Sequence, residues 1–286
     1  MKILVTGATG FLGQSLVPEL AKKYKVRIFS RRRIKTSHDL FIGDITNYTD
    51  VDRAMKGCDC VIHLAKWKGH NAPYKKHYPV TVKGTENVAK AAVRNKVRMV
   101  HMSTIAVTSK VETPYVKAKK EAEKIVKRVC WPKIRATIVR AAHIYDKGRT
   151  IKRLRKYSWF PFPHSKHKVH FSYKKSVIAV LVNAVQNGKN EIYNVGDKKP
   201  IPLTEVYKEL AKPRKVLFLP RQIIWVAWFA GWPVEYAHKA VGKTPPFTPR
   251  FIRYMFKEKK DFNITKAVKV LKYKPVDTID TMRRLR

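Results

Sequence analysis

The chain has 286 residues, 44% of them hydrophobic, enough to fill the core of one large α/β domain and a smaller lobe and so to exclude a natively disordered chain. Lys and Arg number 62 against 20 Asp and Glu, a formal charge of +42 spread along the chain, so the excess is not that of a basic tail. Repulsion of that size destabilises a compact monomer unless anions neutralise it, which points to an acidic membrane surface, RNA or an acidic partner protein, or else to a basic bias shared by a whole proteome.

Cys58, Cys60 and Cys130 are too few for a disulfide framework, and the CDC spacing is not that of a metal-ligand pair. A reducing compartment and no metal are therefore expected. No apolar run reaches about 18 residues, and the first strand begins at residue 2, so the expectation is a cytoplasmic chain without a spanning helix.

In chain order, Lys2 to Gly13 (KILVTGATGFLG) reads as strand, tight loop and helix: Ile3, Leu4, Val5 and Thr6 form an apolar run, and Phe11, Leu12 and Leu16 resume at helical spacing. Gly7, Gly10 and Gly13 supply the conformational freedom and close approach that a dinucleotide pyrophosphate needs, at a helix N-terminus with unpaired N–H groups. The first helix is expected over roughly 13–24, and Lys25 to Ser30 alternates as a second strand ending in Arg31, Arg32 and Arg33. An acid at that place would take the adenosine ribose hydroxyls, whereas arginine accommodates a 2′-phosphate. Ser30, Arg31 and Arg32 thus favour NADP(H), with NAD(H) open.

A third strand, Phe41 to Thr46, ends in GDIT with Asp44 and Ile45, and a short helix from about Asp50 leads to Cys60–Ala65, an apolar buried strand on which His63 reads as a core histidine. The loop from Trp67 to Pro79, with His70, Tyr74 and His77, follows a strand's C-terminal end, where open α/β sheets bind ligands. An amphipathic helix over Val82–Ala92 and a strand from Arg98 that ends at Ser103 and Thr104 come next.

Tyr115 and Lys119 stand four residues apart in YVKAKKEAEKIV, a predicted helix, so both emerge on one face. A free tyrosine is a poor base at neutral pH, and an ammonium within several Å is expected to move the phenol toward the working range. A strand follows over Ile134–Arg140, then Ala141, Ala142, His143, Ile144 and Tyr145. From Thr150 to His170 the chain is basic and aromatic (Arg153, Arg155, Tyr157, Trp159, Phe160, Phe162, His164, His167), a mixture suited to phosphate pairing and base stacking. Leu217 to Ala240 is the most apolar stretch, with Trp225, Trp228 and Trp232 at helical spacing and Pro233 expected to interrupt it. It reads as a core helix of a second lobe or as a helix lying in a membrane interface.

The ordered segments GATGFLG, VIHLAK, VKGTENVAKAA, YxxxK, YNVG (Tyr193 to Gly196) and the ending from Asp261 to Pro275 together resemble the extended, epimerase-like branch of the short-chain dehydrogenase/reductase superfamily, over nearly the whole chain. The resemblance implies a doubly wound parallel Rossmann sheet, over 1–148 plus about 174–198, with a substrate or partner lobe over 149–173 plus 199–286. It implies cofactor contacts from Thr6, Gly7, Thr9, Gly10, Phe11, Leu12, Gly13, Asp44 at the adenine edge, Ile45, Leu64, Ala65, Ala141 and Ile144, and a nicotinamide ribose contact from Lys119. Ser103 matches the residue that holds the substrate oxygen, with Thr104 as a second hydroxyl and Tyr115 as the proton carrier. The chain departs from the family pattern at Lys66, where a second alanine is usual, at Ala141, at Asp146, and in having only 11 residues between Ser103 and Tyr115.

Three functions compete on the sequence. The first is an NADP(H)-dependent oxidoreductase acting on a small molecule, a sugar nucleotide or a lipid-like carbonyl or alcohol. Sugar-nucleotide epimerisation is its close variant, and dehydration fits less well because Ser103–Thr104–Ile105 replaces the Thr-Asp-Glu of dehydratases. The second is a cofactor-binding accessory subunit of a respiratory, membrane or ribonucleoprotein assembly, and the third an RNA-associated member. The chemical triplet favours catalysis, the charge favours an anionic partner, peripheral membrane placement is compatible with both, and an oligomer is open.

Overall fold

The computed structural model describes residues 1–151, 162–163, 167–212, 217–220, 222–241, 248–249, 253 and 262–285. Arg153, Arg155, Tyr157, Trp159, Phe160, His164 and Asp261, singled out in the sequence, lie outside these residues.

Short apolar runs alternating with amphipathic stretches produce central strands that are buried on both faces, more exposed edge strands and helices that are buried on one face. In chain order these are β1 (Lys2–Thr6), α1 (Gly13–Ala21), β2 (Lys25–Ser30), β3 (Asp39–Ile42), α2 (Tyr48–Met55), β4 (Cys60–His63), α3 (Tyr74–His77), α4 (Gly84–Arg94), β5 (Arg98–Thr104), α5 (Pro114–Cys130), β6 (Ala136–Ala141) and β7 (His143–Tyr145). The strand Ile192–Val195 joins β6, β5, β4, β1, β2 and β3, in that order, in one seven-stranded sheet whose neighbours all run parallel. The order reverses beside β1, so the C-terminal ends of β1 and β4 open a crevice where such sheets bind ligands. This is the doubly wound Rossmann architecture expected from the sequence.

Two apolar layers cover the sheet. One side gathers Ile3, Val5, Leu16, Leu20 and Ile62 with Val177 and Leu181 of the helix Lys174–Asn187. The other gathers Leu4, Met55, Val61, Val88 and Met99 with Ala118 and Val126 of α5. A third cluster, with Tyr145, Val169, Phe171, Leu203, Val206 and Met282, forms a separate small core beyond the sheet. The helix Thr265–Leu271, which the sequence grouped with the second lobe, instead contributes Ala267 and Leu271 to the core of the large sheet. Asp197 ties the pieces together: it accepts from Thr278 Oγ1 at 2.6 Å and from the Tyr173 amide at 3.2 Å. Burial pushes its carboxyl up to about 6.

Two elements differ from the sequence expectation. β3 ends at Ile42, before the GDIT residues, because the Asp44 carboxylate accepts from the Thr46 amide and hydroxyl, both at 2.8 Å, a local turn that competes with strand pairing. The helix Ile223–Ala240 runs through Pro233 instead of stopping there.

Candidate dinucleotide and proton-transfer site

The glycine loop is built for close approach. Gly7 has φ +72°, and a Cβ there would lie 2.8 Å from the Ala65 amide nitrogen. At Gly13 it would lie 2.4 Å from the carbonyl oxygens of both Gly7 and Ala8. The loop therefore folds against the end of β4 so tightly that no side chain fits at either position. α1 begins at Gly13 without a side-chain cap and without an acid in its first turn, so the positive end of its dipole is uncompensated, while the Gln14 amide donates to the Gly10 carbonyl at 3.1 Å and those of Ser15 and Leu16 to the Leu12 carbonyl at 3.1 and 2.9 Å. Such a cradle fits a pyrophosphate. Thr9 and Gly10 are exposed at its lip, Phe11 and Leu12 are half-buried, and Lys174 Nζ stands 4.4 Å over the Phe11 ring.

Thr6 turns its side chain into the protein. Its side chain is 1% exposed, and Oγ1 lies 2.7 Å from His63 Nδ1 while accepting from the Ala65 amide at 3.4 Å. The hydroxyl is used up inside the protein, where it fixes the β4 end that carries Leu64 and Ala65. His63 is a core histidine, as expected: it is fully buried, its Nε2 lies 3.0 Å from Thr85 Oγ1, and burial with the Lys119 charge lowers it to about 3.

At the far edge, Ser30 is half-buried and Arg31 and Arg32 are exposed beyond β2. The Thr46 amide holds the Asp44 carboxyl below its ordinary range, and the Arg31 charge adds to this. Ile45 is buried against Gly84. Ala141, buried, and Ile144, half-buried, flank the start of β7.

Tyr115 and Lys119 are brought together as the spacing implies. Thr113 caps α5 by accepting from the Val116 amide at 3.2 Å, and Pro114 occupies the first turn, where its missing N–H costs nothing. Tyr115, Lys119 and Glu123 then recur every four residues along the face turned to β5. Tyr115 is 6% exposed, and its ring meets His70 and His77 at centroid distances of 4.3 and 5.9 Å, with Lys66 Nζ 5.4 Å from the ring centre. The loop after β4 thus touches Tyr115 directly.

The electrostatics differ from the simple expectation. Burial pushes the Tyr115 phenol up to about 12, and the Thr104 hydroxyl offsets only part of that. Burial and the Lys66 charge bring Lys119 down to about 7, against the opposing pull of Glu123. Lys119 Nζ donates to the Met102 carbonyl at 2.7 Å and lies 3.4 Å from His101 Nε2. Desolvation therefore dominates at the phenol, and Tyr115 rests protonated.

The two hydroxyls at the end of β5 have different neighbours. Ser103 is 4% exposed and its Oγ donates to Glu123 Oε1 at 2.5 Å, the same carboxylate that receives Arg140 Nε at 2.9 Å and Nη2 at 2.6 Å. Ser103 is thereby engaged away from the phenol. Thr104, next along the alternating strand, is the side chain that draws the Tyr115 phenol down, and its Oγ1 accepts from the Ala106 amide at 3.2 Å. Sequence reasoning missed Glu123 and Arg140. The signal was present: Glu123 continues the Tyr115, Lys119 spacing by one more turn, and it is one of only 20 acids in the chain.

Comparisons with known proteins bear on the family and the fold. The profile of the NAD dependent epimerase/dehydratase family matches residues 3–196. UDP-glucose 4-epimerase of Rickettsia akari (strain Hartford) is 35% identical over 119 residues, which is 34% of this chain and 34% of that relative, so the match spans about a third of the curated protein's length. Among solved structures, UDP-N-acetylglucosamine 4-epimerase from Bacillus cereus superposes with a TM-score of 0.76 at 18% identity, covering 100% of this chain and 95% of that one. UDP-glucuronic acid 4-epimerase from Bacillus cereus, in complex with UDP-glucuronic acid and NAD, gives 0.73 at 20% identity over 100% of both chains. At these identities the structural likeness establishes the fold, and the profile match over more than half the chain establishes the family. The chain belongs to the NAD dependent epimerase/dehydratase family.

Proposed function

We propose that the protein is a sugar-nucleotide epimerase that inverts a hydroxyl-bearing carbon, with Tyr115 as the proton carrier and Thr104 as the group holding the reacting oxygen. The observation that carries this reading is the convergence of Thr104, Tyr115 and Lys119 at the C-terminal end of β5, in the same sheet that presents the glycine cradle after β1. The match to UDP-glucose 4-epimerases supports a nucleotide-sugar substrate.

Gly7, Gly10, Gly13 and the first turn of α1 would hold the pyrophosphate, with Ala65 and Ala141 bordering the nicotinamide end. When bound, the dinucleotide supplies the hydride acceptor and donor. The rest falls to this chain's side chains. Thr104 Oγ1 fixes the substrate oxygen beside the phenol. Tyr115 Oη exchanges a proton with that oxygen. Burial keeps the phenol protonated at rest, so the resting Tyr115 is poised to give a proton to the substrate oxygen and takes one back in the return step. His70, His77 and Lys66 cover the ring and keep water from it.

Arg31, beyond β2 and close enough to Asp44 to lower its carboxyl, favours NADP(H) as the dinucleotide and keeps a second reading in view: an NADPH-dependent reductase acting on the carbonyl of a small molecule. Following UDP-glucose and UDP-galactose by NMR with catalytic NAD or NADP separates the two. The epimerase reading expects interconversion without net dinucleotide turnover. Stoichiometric NADPH consumption on carbonyl substrates, with no interconversion, would establish the reductase instead.

A further inference from the structure

The helix Ile223–Ala240 presents an aromatic stripe to the outside. Trp225 is 54% exposed, Phe229 63%, Trp232 59% and Tyr236 78%. At about 3.6 residues per turn these four fall within roughly 60° of the helix circumference. Trp228, half-buried, locks the stripe into a plate: its ring lies 6.3 Å from those of Trp225 and Trp232 and 4.9 Å from that of Phe229, each edge-on. Gly231, on a different side of the helix, is buried, and a Cβ there would come within 3.0 Å of Pro249. The helix is thus seated on the rest of the chain through Gly231 and turns its rings outward.

Cations surround this stripe in the sequence. Between positions 212 and 260, Lys and Arg number 11 and Asp and Glu two, and Lys212 and Arg253 are exposed. No helix among the described residues is long and apolar enough to cross a membrane. An exposed face of aromatic rings, cations flanking the helix in the sequence and about 27 Å of length suit an apolar helix that lies along a lipid surface. Trp and Tyr suit the headgroup boundary because each has an apolar body and a polar tip.

We propose that the aromatic stripe of helix Ile223–Ala240 is a membrane-docking face that lies in the headgroup boundary of an anionic lipid surface. A +42 chain spreads its charge too widely for one discrete acidic patch, whereas an anionic bilayer offers an extended counter-surface. The rings supply the part of the binding that salt does not screen, and the cations supply the part that it does.

The test is flotation of the full chain with vesicles of mixed phosphatidylglycerol and phosphatidylcholine, compared with phosphatidylcholine alone, at about physiological and at raised salt. The expected result is flotation with the anionic vesicles, with a residual fraction bound at raised salt, and quenching of tryptophan fluorescence by lipids brominated on their acyl chains. The double variant Phe229→Ser/Trp232→Ser, which leaves every charge in place, should partition about tenfold less or weaker still. Tyr236→Ser, at the most exposed ring, should weaken partitioning with an unchanged melting temperature, so a folding defect cannot account for the loss. Flotation of both variants equal to that of the parent would overturn the proposal, because charge alone would then explain binding. So would the absence of flotation with anionic vesicles, or a solution dimer that Tyr236→Ser dissociates.

Discussion

Ser103 Oγ, expected from the sequence to hold the substrate oxygen, donates to the buried Glu123 Oε1 at 2.5 Å. The chemistry at the end of β5 therefore divides between neighbours: Ser103 fastens α5 to the sheet, and Thr104 faces Tyr115. Ser103→Ala should cost about 1–3 kcal/mol of stability, the range for a hydrogen bond to a buried charge, and leave turnover within a few-fold. Thr104→Val should do the reverse, lowering kcat by about 10²–10³ with a smaller effect on stability. Melting curves and steady-state rates on both variants check this, and the opposite pattern would restore Ser103 to the site.

The Glu123–Arg140 pair predicts an asymmetric response. Glu123 is 3% exposed and takes two bonds from Arg140, so Arg140→Met leaves a buried carboxylate with only Ser103 as a partner. That should cost about 3–5 kcal/mol in denaturant unfolding. Replacing both residues with apolar ones should recover much of the loss.

Lys119 should titrate near neutrality, and its two charged neighbours should move it in opposite directions. Burial and Lys66 bring it from 10.5 to about 7, while Glu123 opposes them. Lys66→Met removes a like charge and should raise the value; Glu123→Gln removes an attractive one and should lower it further. NMR of reductively ¹³C-methylated protein, with Lys119→Met for assignment, reads both shifts. Between about 7 and 10.5 the unfolded chain binds more protons at this site than the folded one, so its contribution makes stability rise with pH across that window.

The glycine cradle can be tested without activity. At Gly13 a Cβ would sit 2.4 Å from two carbonyl oxygens, whereas at Gly148 it would meet nothing within 4 Å. Gly13→Ala should abolish dinucleotide binding in a calorimetric titration and lower the melting temperature, and Gly148→Ala should change neither.

Arg31→Asp should reverse any preference for NADP(H). Placing a carboxylate beyond β2 repels a 2′-phosphate and offers an acceptor to the ribose hydroxyls. The ratio of the two dissociation constants, before and after the substitution, measures it.

The sheet was legible because its signals are local and repeated: apolar runs at β1, β4 and β5, glycines at the one turn that needs them, and helical spacing at α5. The Tyr115, Lys119 pairing was legible for the same reason. The partners of Ser103 and Thr104 were not, since adjacent hydroxyls at a strand end look alike until a helix packs against one of them. Nor was the Tyr115 phenol's upward shift, because it depends on how deeply the loop carrying Lys66 and His70 buries the ring, a tertiary property. The placement of Thr265–Leu271 on the large sheet likewise depends on a long-range contact with the helix Lys174–Asn187 that no local pattern encodes.

The most direct test of the central claim is interconversion of UDP-glucose and UDP-galactose by the purified protein with added NAD or NADP, compared with Tyr115→Phe. As an epimerase, the wild type should interconvert the two sugars with no net oxidation of substrate, and Tyr115→Phe should lose activity while retaining dinucleotide binding. Equal rates in the two proteins, or a wild type that binds neither dinucleotide, would contradict this.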